Sequence, residues 1–153
     1  MGQIILEPVG RVHSDRTSPD DDNWDGVRAV IELDPSFDLD ALTGLGAFSH
    51  VEIVFVFHRV DPSAIERSAR HPRGRTDWPK VGIFAQRGKN RPNRLGVTCC
   101  QLVGIDDRRL EVRGLDAIDG TPVMDIKPLM RGFLPRGDIL EPDWARAIMS
   151  EYW

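Results

Sequence analysis

Period-two alternation and short apolar runs dominate the hydrophobic pattern, which favours strands over helices. Val27–Leu33 sets Val27, Ala29, Ile31 and Leu33 on one face against Arg28, Val30 and Glu32, and reads as a half-buried strand. Phe48–Val60 is apolar and β-branched on both faces (Val51, Ile53, Val54, Phe55, Val56, Phe57), the pattern of a central strand. Ile4–Val12 is interrupted by Pro8 and Gly10 and is expected to be an edge or bulged strand. Val81–Gln86, Leu95–Ile105 and Leu110–Leu115 are further strands, the last two forming a hairpin at Asp106-Asp107. Helical signals are few: single turns over Leu39–Leu45 and Pro62–Ala69, the latter capped by Asp61, and a C-terminal helix over Glu141–Tyr152. In that helix Pro142 falls in the first turn, and Trp144, Ile148 and Tyr152 recur at four-residue spacing, with Trp153 extending the apolar stripe. Many short strands with few helices predict a mainly β, single-domain closed barrel, because closure removes exposed edges.

Composition narrows the class. The chain has 153 residues, enough for one domain with a core and too few for two. Its longest apolar run, Ile53–Phe57, is far below the roughly 20 residues of a membrane helix. No basic stretch followed by an apolar one opens the sequence, so nothing in it predicts secretion. The only cysteines, Cys99 and Cys100, are adjacent and point to opposite faces if they lie in a strand, which argues against a disulfide. With the four histidines scattered, no zinc or other metal site is expected, and a cytoplasmic location is. Net charge is −4, but its distribution is uneven. Arg67–Arg94 holds nine Lys/Arg and the single acid Asp77, a local +8 that leaves −12 for the remainder. Asp15–Asp40 is the most acidic stretch.

Two segments carry candidate chemistry. Phe84–Gly96, F-A-Q-R-G-K-N-R-P-N-R-L-G, places Arg87, Lys89, Arg91 and Arg94 among Gly88, Asn90, Pro92 and Asn93. Such a turn is compact and donor-rich, suited to a carboxylate or phosphate, and equally consistent with an ordinary basic surface turn. Leu115–Pro128, L-D-A-I-D-G-T-P-V-M-D-I-K-P, sets Asp116, Asp119 and Asp125 beside apolar neighbours. Partly buried carboxylates need partners. They either cap the Asp119-Gly120-Thr121-Pro122 turn, with Asp125 pairing to Lys127 or an arginine, or they accept from the hydroxyls or amino group of a nucleoside. His58 ends the central strand, where a histidine is either a core-edge residue or part of a site.

Taken together, Phe48-Ser49-His50, Phe57-His58, Gly82-Ile83-Phe84-Ala85-x-Arg87, Arg91-Pro92-Asn93-x-x-Gly96 and Asp116-x-x-Asp119-Gly120-Thr121-Pro122-Val123-x-Asp125-Ile126-Lys127-Pro128 resemble the TrmO/YaeB-like (TsaA-like domain) family. The resemblance runs from Val9-Gly10-x-Val12-x-Ser14 to Pro128. Members of that family include the S-adenosylmethionine-dependent methyltransferase acting on N6-threonylcarbamoyladenosine beside the tRNA anticodon. The resemblance implies a β-barrel, a homodimer and S-adenosylmethionine bound outside the dinucleotide-fold tradition. The absence of G-x-G-x-x-G after any strand agrees with this. Carried over by position, the cofactor contacts would be His58, Arg59, Arg87, Val97, Asp116, Ala117, Ile118 and Asp119, with Trp24-Asp25-Gly26 in the place of a further cofactor loop. Asp119 and His58 are the candidate proton acceptors. Arg91, Asn93 and Lys127 are candidate substrate contacts.

Departures bear on the acceptor. Gln86, Gly88, Arg94 and Leu129 stand where the family often has threonine, serine, proline and tyrosine. The acidic Asp20-Asp21-Asp22-Asn23-Trp24 loop replaces a basic one, and would repel a phosphate backbone unless it faces away. The further domain of longer bacterial members has no counterpart in these 153 residues. Two alternatives therefore stand beside the tRNA reading: a methyltransferase for a smaller acceptor (nucleoside, peptide or metabolite), and a non-catalytic S-adenosylmethionine-binding sensor.

Overall fold

The computed structural model describes residues 2–153. Six antiparallel strands close on themselves: β1 (Gly10–Ser14), β2 (Arg28–Leu33), β3 (His50–Val56), β6 (Leu95–Asp106), β7 (Arg109–Arg113) and β8 (Pro122–Pro128). Their order around the barrel is β1-β2-β7-β6-β3-β8. Two short strands, β4 (Ala69–Arg70) and β5 (Val81–Gly82), form a separate ribbon, and one short helix, α1 (Asp143–Ile148), follows the barrel. Among the described residues, no helix is long and apolar enough to cross a membrane.

Alternation explains the closure. One face of each strand points inward: Val12, then Ala29, Ile31 and Leu33, then Val51, Ile53 and Phe55, then Cys100 and Leu102, Leu110 and Val112, and Val123, all buried. β3 lies between β6 and β8, as every strand of a closed barrel lies between two others; the strand expected over Phe48–Val60 runs only from His50 to Val56 and fully buries one face, Val51, Ile53 and Phe55, because a barrel strand has a single inward side. Cys99 faces out and Cys100 faces in, and burial pushes the Cys100 thiol up to about 12, so it stays an inert core group. The β6–β7 hairpin forms as expected and turns with Asp107 at a φ of 51°.

Several expected elements are shorter. The strand expected over Ile4–Val12 begins only at Gly10, and Ile4 and Ile5 are more than 80% exposed. The strand expected over Val81–Gln86 stops at Gly82. A 3-10 turn at Ile83–Ala85 then buries Ile83, leaves Phe84 exposed, and sends the Gln86 amide inward to donate to the carbonyls of Arg70 (3.1 Å) and Val81 (2.9 Å). The turn at Pro62–Ala69 contracts to Pro62–Ala64, where Asp61 Oδ1 does accept from the Ser63 N–H at 2.8 Å. The helix expected over Glu141–Tyr152 is helical only from Asp143 to Ile148, because Glu151 and Tyr152 direct their carbonyls to the N–H groups of Asn23 and Trp24, both at 2.8 Å.

The register places the two candidate segments side by side. β7 leaves the ladder at Arg113 opposite Gln101, so Leu95–Cys100 of β6 is paired on its β3 side only. The chain from Gly114 onward runs along that unpaired edge. Gly96 faces inward there, and a Cβ on it would lie 2.5 Å from the Phe55 ring, itself 1% exposed and unable to retreat. Replacing Gly96 by Ala is expected to cost about 1–3 kcal/mol, read as a lower urea midpoint, whereas Gly46→Ala, with nothing within 4 Å of the new Cβ, should leave the midpoint near that of the parent.

Candidate functional site

At the mouth of the barrel the inward hydroxyl of Thr98 donates to Asp116 Oδ1, and the hydroxyl of Tyr152 donates to Asp116 Oδ2. One residue before Thr98, the Val97 carbonyl accepts from Arg87 Nη2 at 2.7 Å, across the unpaired edge of β6. The arginine-rich segment and the aspartate-rich segment therefore meet, with Val97-Thr98 between them. Ala117 and Ile118 are buried beneath this contact, and Arg87 and Val97 are exposed on it.

A second group of residues sits where β3 ends. The His58 ring lies against the Asp119–Thr121 turn, with Nδ1 3.4 Å from the Thr121 hydroxyl. Gly120 makes the turn at a φ of +77°, a conformation that favours glycine, and His58 Nε2 lies in ordinary contact range of it. Asp119 Oδ1 accepts from the Ser14 N–H at 3.0 Å, and the Asp119 N–H donates to the Arg16 carbonyl at 2.8 Å. Arg59 donates to the Thr17 carbonyl at 2.9 Å. Arg16 links the two groups: its guanidinium stacks 3.8 Å from the centre of the buried Trp24 ring and donates to the carbonyls of Asp22 and Asn23. Those two residues precede Trp24 in the loop that holds the Glu151-Tyr152 main chain.

The remaining candidates fall apart from this assembly or serve the turn itself. Lys127 pairs with Asp125 on β8. It lies six residues beyond Thr121, roughly 20 Å at about 3.3 Å per strand residue, so the monomer does not bring it to His58 or Asp119. Arg91 donates to the Gln86 carbonyl at 2.7 Å. Asn93 is exposed with a φ of 61°. The acidic loop turns onto the basic segment: Lys89 meets Asp21 at 3.1 Å, and Arg73 binds both oxygens of Asp22.

Sequence reasoning placed Tyr152 on an apolar helix stripe and passed over Thr98, Ser14 and Arg16. No spacing rule exposes these: Thr98 and Ser14 act through contacts distant in the chain, and Arg16 acts through the folding of its own loop back onto Trp24. Only the polar tip of a tyrosine in an otherwise apolar stripe was a usable signal. Two shallow hollows flank the site, one of about 380 Å³ with Asp119 at its edge and one of about 260 Å³ between Cys99, His50 and Trp153. Neither is lined by His58 or Arg87.

Partial burial lowers the pKa of His58 below its ordinary value of 6.5, with Arg59 and Arg11 pushing the same way and Asp119 opposing. The imidazole is thus neutral at pH 7 and free to take a proton. Because the folded value lies below the unfolded one, the unfolded chain binds more protons as pH falls below 6.5, and this contribution to stability is present above that pH and lost beneath it. In a titration followed by nuclear magnetic resonance, His58 should titrate below 6.5, and lower still in Asp119→Asn; a midpoint at or above 6.5 would contradict this environment.

The family model described as the tRNA-methyltransferase O N-terminal domain matches residues 13–133. A Methanothermobacter thermautotrophicus protein named "Probable S-adenosyl-L-methionine-binding protein" is 35% identical over 130 residues, covering 82% of this chain and 90% of that one. The Homo sapiens protein named tRNA (adenine(37)-N6)-methyltransferase is 36% identical over 102 residues, 67% of this chain and 23% of that one. The crystal structure of TrmO from Pseudomonas aeruginosa superposes with a TM-score of 0.74 at 31% identity, covering 91% of this chain and 61% of the other. The chain spans about half the length, or less, of most curated relatives it matches. With four-fifths of its length matched by the model and the barrel shared with a solved relative, the chain belongs to the tRNA-methyltransferase O N-terminal domain family.

Proposed function

We propose that this chain is an S-adenosylmethionine-dependent methyltransferase that methylates N6 of threonylcarbamoyladenosine next to the anticodon of a tRNA. The observation that carries the reading is the junction of Arg87–Val97 with Thr98–Asp116, which brings a guanidinium and a carboxylate to consecutive residues of β6. The donor set suits the cofactor. A guanidinium has five N–H donors, and Arg87 commits Nη2 to Val97, leaving donors for an amino-acid carboxylate. A carboxylate has about four acceptor sites, and Asp116 uses one on each oxygen, leaving capacity for ribose hydroxyls. Two relatives whose names cite S-adenosylmethionine or a tRNA adenine N6 methyl transfer support the same reading.

When bound, the cofactor supplies an electrophilic methyl on a sulfonium, transferred in line as the S–C bond breaks and the N–C bond forms. The chain's part is alignment and proton handling. Arg87 and Asp116–Asp119 orient the ligand. The acceptor nitrogen must shed its proton, and His58, neutral at pH 7, takes it, while the adjacent Asp119 stabilises the imidazolium that results. Arg59, Arg91 and Asn93 lie on the same segments and are assigned to ligand or acceptor contacts. Lys127 joins them only if a second subunit supplies it. We read the protein as one cytoplasmic TrmO/YaeB-like domain acting as a homodimer, a reading supported by the large apolar side chains the monomer leaves exposed, among them Phe84, Val97, Met130 and Phe133.

Calorimetry should show S-adenosylmethionine binding, and Arg87→Ala should weaken it at least about tenfold, the scale of one charge-assisted hydrogen bond; unchanged affinity removes Arg87 from the site. Labelled cofactor should transfer its methyl to tRNA from a strain lacking the native modification, and Asp119→Asn should lose turnover with the fold retained. Transfer to a nucleoside but not to tRNA would replace the acceptor in this reading. Sedimentation should give twice the monomer mass.

A further inference from the structure

Tyr152 lies far from both motifs in the chain, yet its hydroxyl reaches the carboxylate at their junction. Its position does not depend on that hydroxyl. The Glu151 and Tyr152 carbonyls accept from the Asn23 and Trp24 N–H groups at 2.8 Å, Trp24 is 3% exposed beneath the Arg16 guanidinium, and the Tyr152 ring meets Trp153 edge-on with centroids 4.9 Å apart. Main chain and ring packing thus hold the phenol in place, and the hydroxyl is left for Asp116. Burial and the neighbouring Asp116 raise its pKa, so it remains a donor throughout the physiological range, while Arg87 is near enough to oppose that rise. Asp116 is therefore held from two sides, by the inward hydroxyl of Thr98 on the barrel wall and by Tyr152 from the segment after α1.

We infer that Tyr152 is a positioning residue of the cofactor site: its hydroxyl fixes the Asp116 carboxylate in the orientation that accepts the ribose hydroxyls of the adenosyl ligand. This rests on the cofactor reading above and adds a residue that lies outside the segment matched by the family model. A carboxylate gripped at each oxygen by one donor cannot rotate, so its free lone pairs keep one direction, and a ligand hydroxyl meets them without an ordering penalty. Glu151-Tyr152-Trp153 is then part of the site, and loop Asn23-Trp24 acts on the ligand through it.

Tyr152→Phe removes the hydroxyl and keeps the ring and both main-chain bonds. Calorimetry with S-adenosylmethionine should show affinity reduced about tenfold, the scale of one hydrogen bond to a charged group, with the circular dichroism of the folded barrel retained. A 2′,3′-dideoxy analogue of the cofactor should bind parent and variant alike, because it lacks the groups Asp116 is held to receive. Equal affinity of parent and variant for S-adenosylmethionine, or an equal loss for both ligands, overturns the inference, as does a variant that fails to fold, since the fold would then need the hydroxyl. Absence of binding by the parent overturns the cofactor reading itself, and this inference with it.

Discussion

The seam that closes the barrel is where the rest of the structure is decided. β1 meets β8 over Gly10–Val123 and Arg11–Pro122 only, but the hydrogen bonding continues past the ladder. Val12 N–H donates to the Thr121 carbonyl, Gly120 N–H to the Val12 carbonyl, Ser14 N–H to the Asp119 carboxylate and Asp119 N–H to the Arg16 carbonyl. The aspartate turn is thereby zipped to β1 and its continuation residue by residue. A buried edge with unpaired amides is expensive, and this zipper satisfies those groups while holding Asp119 beside His58. The fold and the candidate site share these bonds, so barrel closure and site geometry stand or fall together.

The barrel was legible because a period of two was written into the strands themselves. Ala29-Ile31-Leu33 and Val51-Ile53-Phe55 each bury alternate residues, and no helix period competes with them. Legibility failed where one residue outweighed the pattern. Val81–Gln86 carries a strand's apolar content, but the Gln86 amide finds buried carbonyls only by folding back through a 3-10 turn. Ile4–Pro8 is as apolar as a strand, but β2 ends at Leu33, opposite Gly10, and bonding to the barrel goes no further than Val9, which meets Val123 and Asp34. Glu141–Tyr152 has helical spacing to its end, and the last turns give way to main-chain bonds with Asn23 and Trp24 that no local signal encodes.

For the candidate site, residues contiguous in a motif were readable and those brought in by topology were not. Arg87, Val97 and Asp116 meet because β7 ends at Arg113, opposite Gln101, and leaves the Leu95–Cys100 edge of β6 open. That edge is a property of strand length, not of any residue in either motif. Thr98 looked like one more alternating strand position, and it is; its hydroxyl matters only because Asp116 approaches from the unpaired side. Lys127 shows the converse. It sits in the motif, but strand geometry carries it away along β8 to an ion pair with Asp125, so sequence proximity misled where spatial proximity was needed.

Charge follows the same logic. The acidic loop and the basic segment look like opposed features in the sequence, one repelling and one attracting a phosphate backbone. In the fold they are partners: Asp21 and Asp22 lie on Lys89 and Arg73. Counted along the chain, the three carboxylates of Asp20–Asp22 set against the +8 of Arg67–Arg94 leave +5 for the two segments together. The arginines that donate to carbonyls, Arg87 to Val97, Arg91 to Gln86 and Arg94 to Val60, keep their full charge, since a carbonyl accepts a hydrogen bond without neutralising its donor. Exposed ion pairs contribute little to stability, so the pairing serves to shape the field more than to hold the loop. The pairing therefore blunts the acidic loop's repulsion of a phosphate backbone without removing it, since Asp20 and Asp21 stay exposed, and the arginines of the segment are oriented by main-chain contacts.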